Sequence, residues 1–388
     1  MENIQTFFLR VSARCNLACN YCYVFKHRDM SWKNYPPVMS KKNIILFAER
    51  LKEYVTEKKL KDVYIIYHGG EPLLIGKSVL LEYTDIILSR LKDTACVEFS
   101  LQTNGTLLTD KFLEECDKRK IRISLSIDGP EDIHNKNRKM ANGTGSFNRV
   151  FSGIQKLQKY PHLFQGVIGV INPYAEPEEL LNFYKEAKLY NIDLLLPDAN
   201  YERSPEYRDS SPNIYKNWLI KAFDAWFNKY QDLSFKTFEN ILKSLLGVDT
   251  SSDFFGFGKL SYLTIEADGS YHTTDILKVA YENASAMGVS LEDITIEKAI
   301  HHRKVEEYNN LLTKGNLPQI CKSCDVRDIC GGGSLPHRYS QAKGFDNPTI
   351  YCQEMRTLIT HAKQRITDEI DKELAREKSE HLRAVNAK

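Results

Sequence analysis

Six short apolar runs, separated by amphipathic segments, fill the first half of the chain and leave few folds open to it. They are Thr6–Val11, Asp62–His68, Cys96–Gln102, Arg122–Ile127, Gly166–Asn172 and Ile192–Leu196. Each is β-rich, and the intervening segments place apolar residues at helical spacing, as in Phe147, Val150, Phe151, Ile154 and Leu157. The β(αβ)5 order predicts parallel strands joined by helical crossovers. Six strands are too few to close as an eight-stranded barrel does. The expected fold class is therefore α/β, with a partial (β/α)6 TIM-like barrel over residues 1–205, open on one side, its functional loops at the C-terminal strand ends.

A helical linker is expected over 206–258, with Trp218, Phe223 and Trp226 recurring within Tyr215–Phe227 and a glycine-punctuated turn over Phe254–Gly258. Residues 259–355 read as a small α+β unit. It opens with a hairpin, Leu260–Glu266 and Ser270–Thr273 about Asp268-Gly269, because Asp-Gly between alternating strands favours a tight turn. The tail, 356–388, reads as a charged C-terminal helix whose apolar side, Leu358, Ile359, Ile366, Ile370 and Leu374, runs to about Leu374.

The 388 residues carry 53 basic and 51 acidic side chains, so no overall field selects nucleic acid or an anionic membrane as partner. The N-terminus lacks the basic and long apolar stretches of a signal peptide, and no run approaches a membrane span; a cytoplasmic protein is expected. The first strand begins almost at Met1, so no leader-binding domain is expected before residue 6. In a reducing compartment nine cysteines are metal ligands or core residues sooner than disulfides. Seven fall into two spaced groups, leaving Cys96 and Cys116 alone.

The first group, Cys15-x3-Cys19-x2-Cys22, directly follows the first strand. Three thiolates in one loop can hold a cubane iron–sulfur cluster by three corners, leaving the fourth iron open to a small molecule. The alternative is a structural zinc site with His27 as fourth ligand. The second group, Cys321-x2-Cys324-x5-Cys330 with Cys352, supplies four thiolates, enough to saturate a cluster or a zinc ion.

The stretch Cys15-Asn16-Leu17-Ala18-Cys19-Asn20-Tyr21-Cys22-Tyr23 resembles the signature of the radical S-adenosylmethionine (SAM) superfamily. The resemblance implies that Cys15, Cys19 and Cys22 hold a catalytic [4Fe-4S] cluster whose open iron chelates SAM, and that reduction releases a 5′-deoxyadenosyl radical. It further implies that Gly69-Gly70-Glu71-Pro72 receives the cofactor's amino group, the glycines letting backbone approach the ligand and the Glu71 carboxylate region offering acceptors. Ser126 and Asp128 correspond to the segment that contacts the ribose and carboxylate. Arg138 would fork onto that carboxylate, and Tyr21 would pack near the adenine.

The second cysteine group resembles the auxiliary-cluster (SPASM, or twitch-type) domain of radical enzymes that modify peptides and proteins. That domain often carries two clusters. Here Ser334 stands where one ligand would be, and no cysteine lies between Cys116 and Cys321, so one auxiliary [4Fe-4S] cluster on Cys321, Cys324, Cys330 and Cys352 is expected. Thr274-Asp275 replaces a Cys-Asp pair of many relatives, and by resemblance Asp275 is the catalytic base; a turn or cap role is its alternative. The run Cys330–Tyr339, continued by Phe345–Pro348 and Tyr351-Cys352, together with Asp275–Lys278 and Leu196-Pro197-Asp198-Ala199, resembles the subgroup that installs three-residue cyclophanes. His337 and Arg338 are read as substrate contacts or as braces of the cluster loop. This implies a ribosomal precursor peptide as substrate and an electron donor such as flavodoxin or ferredoxin; the peptide would be recognised by these domains or by a separate leader-binding protein. Thioether formation, epimerisation, formylglycine synthesis and a non-catalytic metal-binding scaffold are the alternatives.

Overall fold

The computed structural model describes residues 3–248 and 255–386, with side chains as far as Glu380. All six expected strands form: β1 (Thr6–Ser12), β2 (Asp62–Gly69), β3 (Cys96–Thr103), β4 (Ile121–Ser126), β5 (Phe164–Val170) and β6 (Asn191–Leu195). They pair in parallel in chain order, so their C-terminal ends lie along one edge. A short β7 (Ser234–Phe235) extends the row beyond β6. Two residues are too few to show a period, which is why the sequence does not announce it.

On the other side of β1 come β8 (Tyr262–Ile265), β9 (Ser270–His272) and β10 (Ala286–Ser290). β8 and β9 form the expected antiparallel hairpin. β8 itself runs parallel to β1, with Thr6 opposite Tyr262 and Leu9 opposite Ile265. The segment after residue 259 therefore continues the sheet and carries Glu266 and Asp275 to the inner face of β1. Phe254, part of the expected turn, lies outside the described residues.

Side-chain alternation sorts the sheet into two faces. On β2, Val63, Ile65 and Tyr67 are buried beneath helices, while Tyr64, Ile66 and His68 line the half-open inner face. On β1, Phe7 packs edge-on to Phe47 and Tyr54 of the helix Lys41–Lys58, ring centroids 5.8 and 6.3 Å away. Burying such a ring contributes about 2 kcal/mol. That helix starts where the Ser40 hydroxyl accepts the Asn43 N–H, and it stops at Lys59, which turns left-handed.

The last helix, Cys352–Asn386, buries Met355, Leu358, Ile359 and Ala362, but Ile370 and Leu374 are half exposed. Its apolar side thus stops short of the expected Leu374. Arg365 already reaches Asp224 and Asn228, near the end of the covering helix Ile214–Lys229, which extends no further. Among the described residues no helix is long and apolar enough to cross a membrane.

Candidate active site

The register of β1 slips between Arg10 and Ser12, releasing the chain into the cysteine loop. Three neighbours pin that loop. Ala13 N donates to Pro37 O at 3.1 Å; Gly70 N and Glu71 N donate to Ser12 O and Arg14 O at 2.8 and 2.9 Å; Ala18 N and Asn20 N donate to Lys139 O and Asn137 O at 2.8 and 3.2 Å. Burial pushes all three thiols up, Cys15 to about 12, where the Cys19 and Cys22 sulfurs add to the effect. Such thiols stay protonated unless a bound cation takes up their charge. An all-sulfur, partly enclosed donor set of this kind fits an iron–sulfur cluster. Among the described residues, no three His, Cys, Asp or Glu side chains are grouped to hold a single metal ion, as mononuclear zinc would need. A cubane needs no such convergence, since each thiolate takes its own iron. His27 lies instead in the field of Asp198, Arg203 and His337, and burial lowers its pKa to about 4.

Gly69 and Gly70 do approach something closely, but it is the chain's own backbone. A Cβ on Gly69, whose φ is +142°, would sit 2.3 Å from Ser12 O, and one on Gly70 would sit 2.3 Å from Arg14 O and 2.8 Å from Phe25 Cζ. The pair locks the cysteine loop onto the end of β2. The Glu71 carboxylate is not free for an ammonium either: it is fully buried and accepts from Leu73 N at 3.0 Å, Thr103 Oγ1 at 2.7 Å and Asn104 N at 2.8 Å. It fixes the ends of β2 and β3, with Pro72 opening the short turn that follows. Asn104 in turn places its amide 3.9 Å from the Cys15 sulfur. Acceptors for an ammonium here would be main-chain carbonyls.

Tyr21, Asp128 and Arg138 form one chain of contacts. The Tyr21 hydroxyl donates to Asp128 Oδ2 at 2.6 Å and receives Arg138 Nη1 at 3.0 Å. Asp128 Oδ1 also accepts Val170 N at 3.2 Å. The segment bearing Arg138 bridges to the cysteine loop at Leu17 and Met140, which sets the guanidinium near Cys19. Its Nε is buried and without a partner among the described residues, a donor of the kind a ligand carboxylate satisfies. Ser126 stands apart from this trio, its hydroxyl receiving Gln102 Nε2 at 3.0 Å.

A second polar knot lies on the inner face where β1 meets β8. Arg10 Nη1 is 2.6 Å from Asp275 Oδ2, and Arg10 Nε is 3.0 Å from Glu266 Oε1, which Lys278 Nζ also meets at 2.9 Å. The Tyr23 hydroxyl donates to Asp275 Oδ2 at 2.5 Å, and His68 Nδ1 stands 3.9 Å from it. Burial alone would raise the Asp275 pKa; Arg10, His68 and Tyr23 outweigh it and hold the carboxyl below its usual range. His68 is pushed down by burial to about 4 and is neutral at pH 7. Arg10, Tyr23, Glu266, Lys278 and His68 carried no role from sequence. An arginine inside the apolar run Thr6–Val11 was the one available signal.

The second cysteine group lies on short elements near the end of the chain. Cys321 and Cys330 sit in the short helices Gln319–Lys322 and Arg327–Cys330, and Cys352 opens the last helix. Thr349 N donates to Gly332 O at 2.9 Å, tying the glycine loop to the turn before Cys352. Burial raises Cys330 to about 12 and Cys321 to about 11, each raised further by the neighbouring thiols. Four partly buried thiols lying in one another's fields again suit a positively charged metal core. Thr274, hydrogen-bonded to Tyr262, and Ser334 are both buried. His337 and Arg338 are buried as well, which favours bracing over substrate contact. Of the spare cysteines, Cys116 is core and Cys96 exposed.

A parallel half-barrel with three cysteines in the loop after its first strand defines a class. Residues 9–194 match the family model of the radical SAM superfamily. That segment is a radical SAM domain, which makes the chain an enzyme that uses SAM and iron–sulfur clusters. The chain is 24% identical over 389 residues to a cysteine-type anaerobic sulfatase-maturating enzyme of Clostridium novyi (strain NT), covering 95% of this chain and 97% of that one. It is 26% identical to a serine-type anaerobic sulfatase-maturating enzyme of Bacteroides thetaiotaomicron, covering 90% and 87%. The solved structure of native anSMEcpe with bound AdoMet superposes with a TM-score of 0.82 at 24% identity, covering 95% of this chain and 99% of that one.

Proposed function

We propose that the protein modifies a ribosomally made precursor peptide, joining an aromatic ring carbon to the β-carbon of a nearby residue. The observation that carries this reading is the meeting of the segments that resemble the cyclophane-forming subgroup. His337 Nε2 lies 3.3 Å from Asp198 Oδ1, the Tyr351 hydroxyl donates to Pro197 O at 2.7 Å, and Asn200 Nδ2 donates to Val279 O at 3.0 Å. Leu196–Ala199 thus meets Leu335–Tyr339 and Tyr351 just past the end of β6, and Val279, the residue after Asp275–Lys278, is tied to Asn200 beside them.

When bound, the cofactor supplies a deoxyadenosyl radical able to take a β-hydrogen. In this reading Cys15, Cys19 and Cys22 would hold the cluster, and Arg138, Tyr21, Asp128, Ser126 and the Gly69–Pro72 loop would hold the cofactor. After the carbon radical adds to the ring, one electron and one ring proton must leave. Asp275, kept ionised by Arg10, takes the proton; a weak base suffices because the oxidised ring is a strong acid. Cys321, Cys324, Cys330 and Cys352 would hold a cluster able to accept the electron. A flavodoxin or ferredoxin would reduce the first cluster, and a separate protein would present the leader.

The sulfatase-maturating relatives favour a second reading, oxidation of a cysteine or serine side chain to an aldehyde. Anaerobic co-expression with an aromatic-rich precursor peptide separates the two. Loss of two hydrogens, with no fragment ions between ring and acceptor residue, supports the crosslink; an aldehyde trapped by a hydrazide supports the second reading. An unmodified peptide counts against both. Asp275→Asn should still cleave SAM but release no product, and undiminished product would remove Asp275 from the mechanism.

A further inference from the structure

We propose that Arg338 is the counter-cation of the four-cysteine cluster and raises its reduction potential. This rests on the reading of Cys321, Cys324, Cys330 and Cys352 as cluster ligands. Arg338 has no exposed surface. A guanidinium so deep is ordinarily paired with a carboxylate, because an uncompensated charge is costly to bury. This one is not. Nε donates to Phe345 O and Asn347 O, both at 3.1 Å, Nη1 donates to Leu311 O at 3.1 Å, and Nη2 has no partner among the described residues. Asp346, the carboxylate in its field, is exposed and not in contact with it.

What the guanidinium does face is the cluster loop. A Cβ on Gly332 would stand 3.6 Å from Arg338 Nη1 and 3.8 Å from its Cζ. Gly332 N–H in turn supports the Cys330 sulfur, and the thiols in the field of Arg338 are Cys321 and Cys330. Asn347 fixes the arrangement, its Nδ2 donating to Arg338 O at 2.9 Å. A four-thiolate cubane is anionic and becomes more so on reduction, so a fixed cation beside it favours the reduced form, the more strongly in a buried setting. A cluster tuned this way is a better electron acceptor.

The test uses the full chain carrying Cys15→Ala, Cys19→Ala and Cys22→Ala, so that only the second cluster is read. Arg338→Lys keeps the charge without the fork that braces three carbonyls; Arg338→Gln removes the charge. Iron content and an EPR-monitored redox titration are measured for each. The proposal expects the Lys variant to retain iron at a midpoint potential near the parent's, and the Gln variant to titrate at a more negative potential or to lose its iron. Lys and Gln variants that behave alike, or a Gln variant shifted positive, would overturn it. A parent without iron would sink the four-cysteine reading itself, and this proposal with it.

Discussion

Arg138 leaves one buried donor unused beside Cys19 while its other arm is fixed through Tyr21 and Asp128. A hydrogen bond to a charged group is worth about 1.5–3 kcal/mol. Arg138→Gln should therefore weaken SAM binding by on the order of tenfold, measured by anaerobic equilibrium dialysis, with iron content unchanged; undiminished affinity would contradict the assignment. At this scale the cysteines were legible because spacing alone brings three thiolates to one loop. Arg10 and Asp275 were not legible as a pair, because 265 positions separate them and only the β1–β8 pairing brings them together. The partners of Glu71 were not legible for a related reason: sequence shows a carboxylate but not the three donors that occupy it.

Among the elements, the end of β2 decides where the cysteine loop sits. Gly70→Ala places a methyl 2.3 Å from Arg14 O, and backbone must move to admit it. The expected result is loss of the first cluster with the second retained, read by EPR of the anaerobically reconstituted protein; two intact signals would contradict it. The glycine pair shows how far a sequence reaches. It announces that something comes close, without saying whether that is a ligand or the chain itself. The six parallel strands and the Asp-Gly hairpin were legible because period and turn chemistry are local. The joining of β8 to β1 was not, since nothing in either strand names its partner.

Across the whole molecule, buried histidines set the response to acid. Burial lowers His27, His68 and His272 to about 4 and His134 to about 3. Between about pH 6.5 and 4 the unfolded chain takes up protons on these imidazoles that the folded chain refuses, so they remove stability as pH drops, against the opposite contribution of Glu71, Asp128 and Asp193, whose carboxyls burial pushes up. Asp275 and Glu266, both held below their usual range, keep their contribution above the ordinary carboxylate pKa and lose it as pH falls further. Urea midpoints of the anaerobic holoprotein should lose less between pH 6.5 and 4 when His134, the most shifted imidazole, is replaced by glutamine, and a loss as large as the parent's would contradict the burial of that imidazole.

The most direct test is chemical. Iron-replete protein, reduced by dithionite under strict anaerobiosis and given SAM, should yield 5′-deoxyadenosine and methionine by liquid chromatography and mass spectrometry, and Cys19→Ala should yield neither. Fully loaded protein that leaves SAM intact would contradict the account at its centre.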